Sequence, residues 1–483
     1  MIWEIGCSSS YLPMPKLINH VQPGLDPIVP ALNLGIVRLV HLALPLMMRL
    51  RLFPWLPAKI SGVDVVNAKT LTQCYQQFQA GNMRLILAFR HVEVDDPMAG
   101  LYVLSRTVPK IARSLNIPLQ YPLHAHFLYD RGMPLWGGKL LGWMLSRMGG
   151  VSLHRGKRPD WGALRTARDL VVNGAYPFVV APEGATNGHS EAIGPLEPGV
   201  AQLAFWGVED VIKAERSEDV MILPIGLQYH YPDQPWHRLN ELMSELESTI
   251  GLPLQSIVEP NPDQFYQRLL VIGEALLVKL ETFYQQFYPG AANASALDVL
   301  NPDRPQAEIT QRIHQLLDHA LGVAESYFNL TAQGTPVDRC RRLEELSWMQ
   351  IYRSDLASAS ALDRGLADWM AQEASLRIIH MRLAESFVAV TGHYVAEHPS
   401  FERLAETTLI MFDAIARLRG DKLPQRPNLG WRKITMTITE PISVSDRWAQ
   451  YSANRRSARA AIDALTEEIR QALVNCYESA KRG

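Results

Sequence analysis

Cysteine is scarce in this sequence, and the four cysteines lie far apart, at positions 7, 74, 340 and 476. No Cys-x-x-Cys pair occurs, so neither a zinc ribbon nor a small disulfide-stabilised scaffold is predicted, and a reducing, cytoplasmic compartment is expected. An excess of charge of one sign is also lacking, because 47 Lys and Arg residues face 49 Asp and Glu residues. This balance argues against a general nucleic-acid-binding protein.

Long apolar runs are absent as well. The most apolar segment, residues 28–55, is interrupted by Arg38, Pro45 and two further arginines, whereas a spanning helix needs about twenty apolar residues. The N-terminus has no basic region before an apolar stretch, so no cleaved signal peptide is predicted. Residues 1–60 carry five basic and two acidic side chains. We expect either a segment that lies in the interface of an anionic bilayer or a buried helix that caps the core.

Apolar residues in total are plentiful, at 47 % of the chain, which is typical of a globular protein with a large core. Between residues 82 and 232, short apolar runs alternate with helical patterns, as in α/β proteins. We therefore predict a mixed, mostly parallel sheet flanked by helices. The predicted strands cover residues 85–89, 123–128, 151–153, 178–181, 220–227 and 434–439.

Helical periodicity surrounds and follows this region. Apolar residues recur every three or four positions over 265–287, and residues 340–419 are predicted to be helical throughout. Shorter helices are predicted at 97–108 and at 161–173, where Asp160 is the expected N-cap. The predicted division is an apolar, basic N-terminal segment at 1–60, an α/β core at 61–239, a helical insertion at 240–428, and a closing strand and helix at 429–483.

The first candidate for chemistry follows the predicted strand 85–89. His91 comes just after this strand, and Asp96 lies five residues later, before a proline that suits the first turn of a helix. A strand-to-helix turn lets the carboxylate fold back onto the imidazole, and such a pair acts as a general base. Alternatively, Asp96 only caps a helix and His91 is a polar core residue. Because no G-x-S-x-G motif occurs, a covalent acyl-enzyme is not indicated.

Two other polar segments follow predicted strands. Arg155 and Lys157 lie in a basic run after 151–153, where they suit phosphate binding or form a solvated turn. Glu183 and Gly184 follow strand 178–181 and are expected to shape a polar pocket beside His91. A metal site is a further alternative. Its ligands would come from His91, Glu93, Asp95, Asp96, His124 and His126.

Four short blocks of residues follow one another between residues 80 and 232, and their order and spacing are informative. They are His91 with Asp96, Gly150 with Arg155, Pro182 to Gly184, and Ile222 to Gly226. In this order they resemble the glycerolipid acyltransferase family of lysophosphatidic acid acyltransferases, whose first block is His-x4-Asp. The resemblance extends more weakly to the strand near residue 437 and the final helix. It implies the family's α/β fold for the core.

The sequence departs from the family pattern at four positions, one of which is Asn187, where the third block of the family has a serine. Arg90 replaces the usual asparagine before the histidine, and Glu93 replaces a common serine. Thr186 stands where the family has an arginine that is expected to help hold the acceptor's phosphate. A different basic side chain would have to replace that arginine, or the acceptor is another lysolipid or a non-phosphorylated alcohol. The basic side chains available as replacements are Arg90, Arg155, Lys157 and Arg158.

The resemblance implies an O-acyltransferase of phospholipid biosynthesis. Its donor would be acyl-CoA or acyl-acyl carrier protein, and its leading acceptor would be 1-acylglycerol 3-phosphate; no metal or redox cofactor is implied. The implied partners are the lipid bilayer and these two substrates, with peripheral, monotopic association at the cytoplasmic side. The implied roles are general base for His91, its orientation for Asp96, head-group contact for Arg155 and Lys157, and the acceptor pocket for Glu183 and Gly184.

Two other functions are compatible with these residues. A catalytically weakened relative would act as a membrane-bound scaffold, with helices 262–428 as the partner surface. A lipid or thioester hydrolase would use water in place of the acceptor hydroxyl.

Overall fold

A mixed eight-stranded sheet organises the chain, and two further short strands pair the N-terminal segment with the helical region. The computed structural model describes residues 18, 20–52, 56–154, 160–184, 186–255, 261–289, 306–387, 392–421 and 424–480. The strands are β1 Gln22–Pro23, β2 Ile60–Val66, β3 Met83–Phe89, β4 His126–Asp130, β5 Gly150–Leu153, β6 Phe178–Val180, β7 Asp219–His230, β8 Tyr352–Arg353, β9 Arg432–Ile438 and β10 Ile442–Ser443.

The strand order in the sheet is β2-β9-β7-β3-β6-β4-β5, with β10 paired to β7. The five strands β7, β3, β6, β4 and β5 run parallel to one another, and β9 is antiparallel to β7 but parallel to β2. The predicted mixed, mostly parallel sheet is therefore confirmed. Central β3 is apolar and buried along nearly its whole length, as expected for a strand covered on both faces.

Helices cover both faces of this sheet. One face packs against α1, α2, α3 and α4, and the other against α7, α8 and α17. The predicted helix 161–173 is confirmed, and the side chain of Asp160 accepts a hydrogen bond from the Ala163 N–H at its start. The helices of this region are α1 Leu34–Arg49, α2 Ala68–Gln79, α3 Asp96–Tyr102, α4 Val108–Ser114, α5 Met133–Gly137, α6 Lys139–Arg147, α7 Trp161–Asn173 and α8 Gly199–Lys213.

The later helices build a separate apolar cluster, and α16 and α17 then return to the sheet. The long amphipathic helix is confirmed as α10, whose Phe265, Leu269 and Ile272 are buried. These helices are α9 Trp236–Ile250, α10 Pro262–Phe287, α11 Gln306–Tyr327, α12 Pro336–Ile351, α13 Ala361–Phe387, α14 Gly392–Ala396, α15 Phe401–Leu418, α16 Trp448–Ala453 and α17 Arg455–Ala480.

Three local predictions need correction. Residues 340–419 are not helical throughout, because β8 pairs with β1 of the N-terminal segment between α12 and α13. The helix predicted at 97–108 is divided into α3 and α4 by a π-helical turn at Val103–Thr107. Strand β2 was not predicted, because Gly62 and Asp64 interrupt its apolar pattern at the edge of the sheet.

The apolar N-terminal segment forms α1, which has one buried and one exposed apolar face. Val37 and Leu44 are buried, whereas Leu39, Leu42 and Leu46 are each more than half exposed. No helix in the described ranges is long and apolar enough to cross a membrane.

Candidate active site

The structure brings His91 and Asp96 into contact at the carboxyl end of β3. His91 lies in the loop after β3, and Asp96 is the first residue of α3. The imidazole Nδ1 is 3.1 Å from Asp96 Oδ2. The aspartate side chain is fully buried, whereas 28 % of the histidine side chain is exposed. The ring is therefore held from inside the protein and is accessible from outside.

Asp96 does not act as a helix cap, as the alternative interpretation required. Its Oδ2 accepts hydrogen bonds from the backbone N–H groups of Val92, at 2.5 Å, and Glu93, at 2.8 Å. Both donors precede the helix, so the carboxylate points back into the β3–α3 turn. Three donors converge on one oxygen, which fixes the carboxylate beside the ring.

A tyrosine from the neighbouring strand contacts the same carboxylate. Strand β7 continues past the end of β3, and its Tyr229 hydroxyl lies 2.5 Å from Asp96 Oδ1 and 2.7 Å from Asp95 Oδ1. A phenol has one proton, so it donates to one carboxylate at a time. Burial, together with the two carboxylates, raises the pKa of Tyr229 well above its usual value, which keeps the hydroxyl protonated.

Asp95 anchors this network to the far end of the chain. Its Oδ2 forms an ion pair with Arg432, the first residue of β9, and accepts a hydrogen bond from the Ala58 N–H at 3.1 Å. The Arg432 guanidinium also lies 4.6 Å from the centre of the Tyr229 ring. The sequence does not point to Tyr229 or Arg432, because neither lies in a local pattern that links it to His91.

This arrangement sets the chemistry of His91. Nδ1 faces the Asp96 carboxylate, and this contact favours the tautomer with the proton on Nδ1 and the lone pair on Nε2. Nε2 has no hydrogen-bond partner among the described residues. An imidazole held in this way, with Nε2 in that tautomer facing no protein partner at a partly open position, is suited to remove a proton from a bound hydroxyl.

Glu183 lies beside this pair, at the end of the neighbouring parallel strand β6. Its Oε1 accepts hydrogen bonds from Asn187 Nδ2, at 3.0 Å, and the Gly194 N–H, at 3.3 Å. Burial raises its pKa, and the Arg90 guanidinium and the His91 backbone N–H act in the opposite direction. Gly184 follows with a φ of +72°, and a Cβ there would overlap the Glu197 carboxylate. Only glycine suits this turn.

Arg90 was one of four basic residues that could replace the missing phosphate-binding arginine, and its position in the structure does not suit that role. Its side chain is fully buried, and Nε lies 3.4 Å from Glu183 Oε2. Its other nitrogens donate to the backbone carbonyls of His189, Ser190 and Ala192. Arg90 therefore fixes the 189–192 loop against the sheet, and its full burial keeps it from meeting a substrate phosphate at the surface.

Arg155, Lys157 and Arg158 lie outside the described residues. The strand that precedes them, β5, is parallel to β3 and three strands away, so its carboxyl end is at the same edge of the sheet, roughly 14 Å from that of β3. Thr186, at the position of the family arginine, is exposed.

The helical region contacts the loops of the site. Arg426 pairs with Glu93 at 2.7 Å, and Glu406 of α15 accepts a hydrogen bond from the Ser190 N–H at 3.1 Å. Burial raises the pKa of Glu93, which Arg426 partly offsets. Burial also raises the pKa of Glu406 to about 7. These contacts had no signal in the sequence, because each pair is far apart along the chain.

Two of the three histidines of the metal alternative each have a ring nitrogen close to a backbone carbonyl. His124 Nε2 lies 2.7 Å from the Met148 carbonyl oxygen, and His126 Nδ1 lies 3.1 Å from that of Gly149. Within the described ranges, no group of three or more His, Cys, Asp or Glu side chains is arranged to hold a metal ion.

The fold and the site define an α/β protein with a histidine–aspartate pair at the carboxyl edge of its sheet. No protein-family model, curated protein or solved structure matches this chain.

Proposed function

We propose that this protein is a membrane-associated O-acyltransferase of phospholipid biosynthesis. It moves a fatty acyl group from acyl-CoA or acyl-acyl carrier protein to a hydroxyl of a lysolipid, with 1-acylglycerol 3-phosphate as the leading acceptor. The observation that carries the proposal is the contact of His91 Nδ1 with buried Asp96, which leaves Nε2 free at a partly open surface. The resemblance of the four sequence blocks to glycerolipid acyltransferases supports the same reaction.

In the proposed reaction, Nε2 of His91 takes the proton of the acceptor hydroxyl while the hydroxyl oxygen attacks the thioester carbonyl. The imidazolium that forms is stabilised by the Asp96 carboxylate. The tetrahedral intermediate then collapses, the C–S bond breaks, and the imidazolium returns its proton to the leaving thiolate. The products are the new oxygen ester and free CoA or carrier-protein thiol. The proton that moves from the hydroxyl to the thiolate therefore passes through His91.

The acceptor would lie along the carboxyl edge of the sheet. Glu183 and Gly184 would shape its pocket beside His91, and Arg155 and Lys157 would meet its anionic head group after β5. The exposed apolar face of α1 would bring this edge to the bilayer that supplies the lipid. Because Arg90 is used internally, the phosphate contact depends on the basic segment after β5. Other lysolipids and non-phosphorylated alcohols therefore belong in the acceptor panel.

The test is acyl transfer by the purified protein in liposomes, with both donors and a panel of lysophospholipids, glycerol 3-phosphate and neutral alcohols. Replacing a general base is expected to lower the rate by about 10²- to 10⁴-fold. His91→Ala should show this loss, and His237→Ala, at an exposed histidine of α9, should not. Equal rates for wild type and His91→Ala would overturn the proposal.

A scaffold without turnover is the second candidate, and one surface favours it. On α13, Leu362, Leu366 and Trp369 are each at least half exposed and share one helix face. A protein partner would bury this apolar face. Folded, vesicle-bound protein that transfers no acyl group to any acceptor would favour this role, and water as the only acceptor would indicate a hydrolase.

A further inference from the structure

A small cavity lies between α1 and the turn that joins α3 to α4. Its volume is about 240 Å³, below the roughly 300–1,000 Å³ of drug-sized ligand pockets. It therefore suits a head group rather than an acyl chain. The residues that line it are Arg38, His41, Leu104, Ser105, Arg106, Pro109, Tyr121, Pro122 and Leu123.

The cavity brings two arginines together without a counter-ion. Neither Arg38 nor Arg106 forms an ion pair with a carboxylate in the described part of the chain. Arg38 also lies close enough to Tyr176 to lower the pKa of its phenol, although burial outweighs that effect. Two cations beside one concave surface attract an anion, and the guanidinium fork matches the oxygens of a phosphate.

A proline in α1 explains the position of Arg106. Pro45 has no backbone N–H, so the carbonyl of His41, four residues earlier, loses its helical partner. Arg106 Nη2 donates to this carbonyl at 3.2 Å. The guanidinium is thus held at the cavity wall by one of its donors, and its remaining donors meet no hydrogen-bond acceptor among the residues that the structure describes.

A buried ring nitrogen in the same wall lacks a partner. His41 is 93 % buried, and its Nε2 makes no hydrogen bond to any described residue. The ring of His124 is 5.9 Å away, and its Nδ1 is also buried without a partner. Burial and the charge of Arg106 lower the pKa of His41, so the ring is neutral at neutral pH. A buried polar atom of this kind is normally satisfied by a protein group, water or a ligand.

The surroundings of the cavity identify the source of the anion. Leu39, Leu42 and Leu46 form an exposed apolar stripe on the same helix as Arg38 and His41. Helix α6, which contacts α1, also carries two exposed large apolar residues, Leu140 and Trp143. A phospholipid presents its phosphate at the boundary of an apolar layer, and tryptophan is favoured at that boundary.

We propose that the Arg38–His41–Arg106 cavity binds the phosphate head group of an anionic phospholipid while the α1 stripe inserts among the neighbouring acyl chains. The residues that line this cavity include neither His91 and Asp96 nor Glu183 and Gly184 of the proposed acceptor pocket. The inference rests on the membrane association in the proposed function, but it is independent of acyl transfer. Lipid binding should therefore persist in His91→Ala protein.

The test compares variants in flotation with two kinds of vesicle, phosphatidylcholine alone and equal parts of phosphatidylcholine and phosphatidylglycerol. Arg49→Gln is the matched control, because Arg49 is an exposed arginine at the end of α1 that does not line the cavity. Loss of one surface charge is expected to weaken binding to anionic vesicles about fivefold. Arg38→Gln and Arg106→Gln should each weaken it by roughly tenfold or more, because they also lose charge-assisted hydrogen bonds.

Calorimetry with soluble ligands distinguishes a lipid head group from free phosphate. Short-chain phosphatidylglycerol should bind wild-type and His91→Ala protein equally, and inorganic phosphate should bind much more weakly. Three results would overturn the inference: equal losses in Arg38→Gln and Arg49→Gln, equal binding to both kinds of vesicle, or inorganic phosphate that binds as tightly as the lipid. Lipid binding by a protein without transferase activity would leave the inference intact and refute the proposed function.

Discussion

Tyr229 and His91 contact the two different oxygens of the Asp96 carboxylate. The tyrosine hydroxyl lies 2.5 Å from Oδ1, and the imidazole Nδ1 lies 3.1 Å from Oδ2. The carboxylate is thus held between a strand neighbour and the proposed base, with two backbone N–H groups on the histidine side. Tyr229 and Asp96 thus act through the position of His91, whereas His91 is the proposed base.

Tyr229→Phe should lower kcat without removing activity. The loss of the hydroxyl leaves Asp96 free to move by a fraction of an ångström, and misplacement of this kind costs about 10- to 100-fold. Two buried carboxylates also lose a donor, which lowers the free energy of unfolding by about 1–3 kcal/mol. Steady-state kinetics and urea unfolding measure the two effects. Tyr75→Phe is the control, because its buried hydroxyl bonds the His124 carbonyl and does not contact Asp96.

Substitution of the adjacent residues Asp95 and Asp96 should have different effects, one mainly on stability and the other mainly on rate. Asp96→Asn keeps the size of the side chain but removes the charge that stabilises the imidazolium, so kcat should fall by roughly 10³- to 10⁴-fold. Asp95→Asn leaves buried Arg432 without its partner, so the free energy of unfolding should fall by about 3–5 kcal/mol. Parallel rate and unfolding measurements on both variants check this. Similar losses of rate and stability in the two variants would contradict the assignment.

Arg90→Leu should destabilise the protein without changing its preference for a phosphorylated acceptor. The substitution leaves Glu183 and the carbonyls of the 189–192 loop without their partner, which should cost about 3–5 kcal/mol in urea unfolding. Arg113→Leu, at an exposed arginine of α4, is the control. The measured ratio of KM for phosphorylated and neutral acceptors should stay at its wild-type value. A selective rise in KM for the phosphorylated acceptor would restore Arg90 as a substrate contact.

Stability should fall as the pH rises through neutrality, because of Glu406. Burial raises its pKa from about 4.5 to about 7, so the folded protein holds a proton that the unfolded chain has released. This contribution is complete below about pH 4.5, is lost as the pH rises through 7, and amounts to about 3 kcal/mol. Unfolding of wild type and Glu406→Gln between pH 5 and about 8 measures it. The variant should have a shallower slope, whereas Glu241→Gln, at an exposed site, should match wild type.

The features that could be predicted from the sequence are those set by residues close together along the chain. The apolar run of β3 and the position of Pro97 were enough to place His91 and Asp96 in one turn, because the strand and the helix have local patterns. Tyr229 is 133 residues from Asp96, and Arg432 is 337 residues from Asp95. Their contacts depend on strand order and register, which one sequence does not specify.

The internal role of Arg90 could not be predicted for the same reason, because it depends on residues far away along the chain. An arginine next to a histidine after a strand is equally consistent with a substrate contact and an internal ion pair. Its burial is determined by the 189–192 loop, about 100 residues later, and by Glu183. The basic segment after β5 was predicted by composition alone, and its residues Arg155 and Lys157 lie outside the described ranges.

The position of β9 has a consequence for synthesis on the ribosome. This strand lies between β2 and β7, and it carries the arginine that neutralises Asp95. A nascent chain that has not yet exposed residues 432–438 therefore contains His91 and Asp96 but has a gap in its sheet beside them. Long-range closure of this kind is slow, and open strand edges attract other chains. The loop that carries His91 is made early in translation, whereas the network that supports Asp95 and Asp96 is completed only after the whole helical region has emerged.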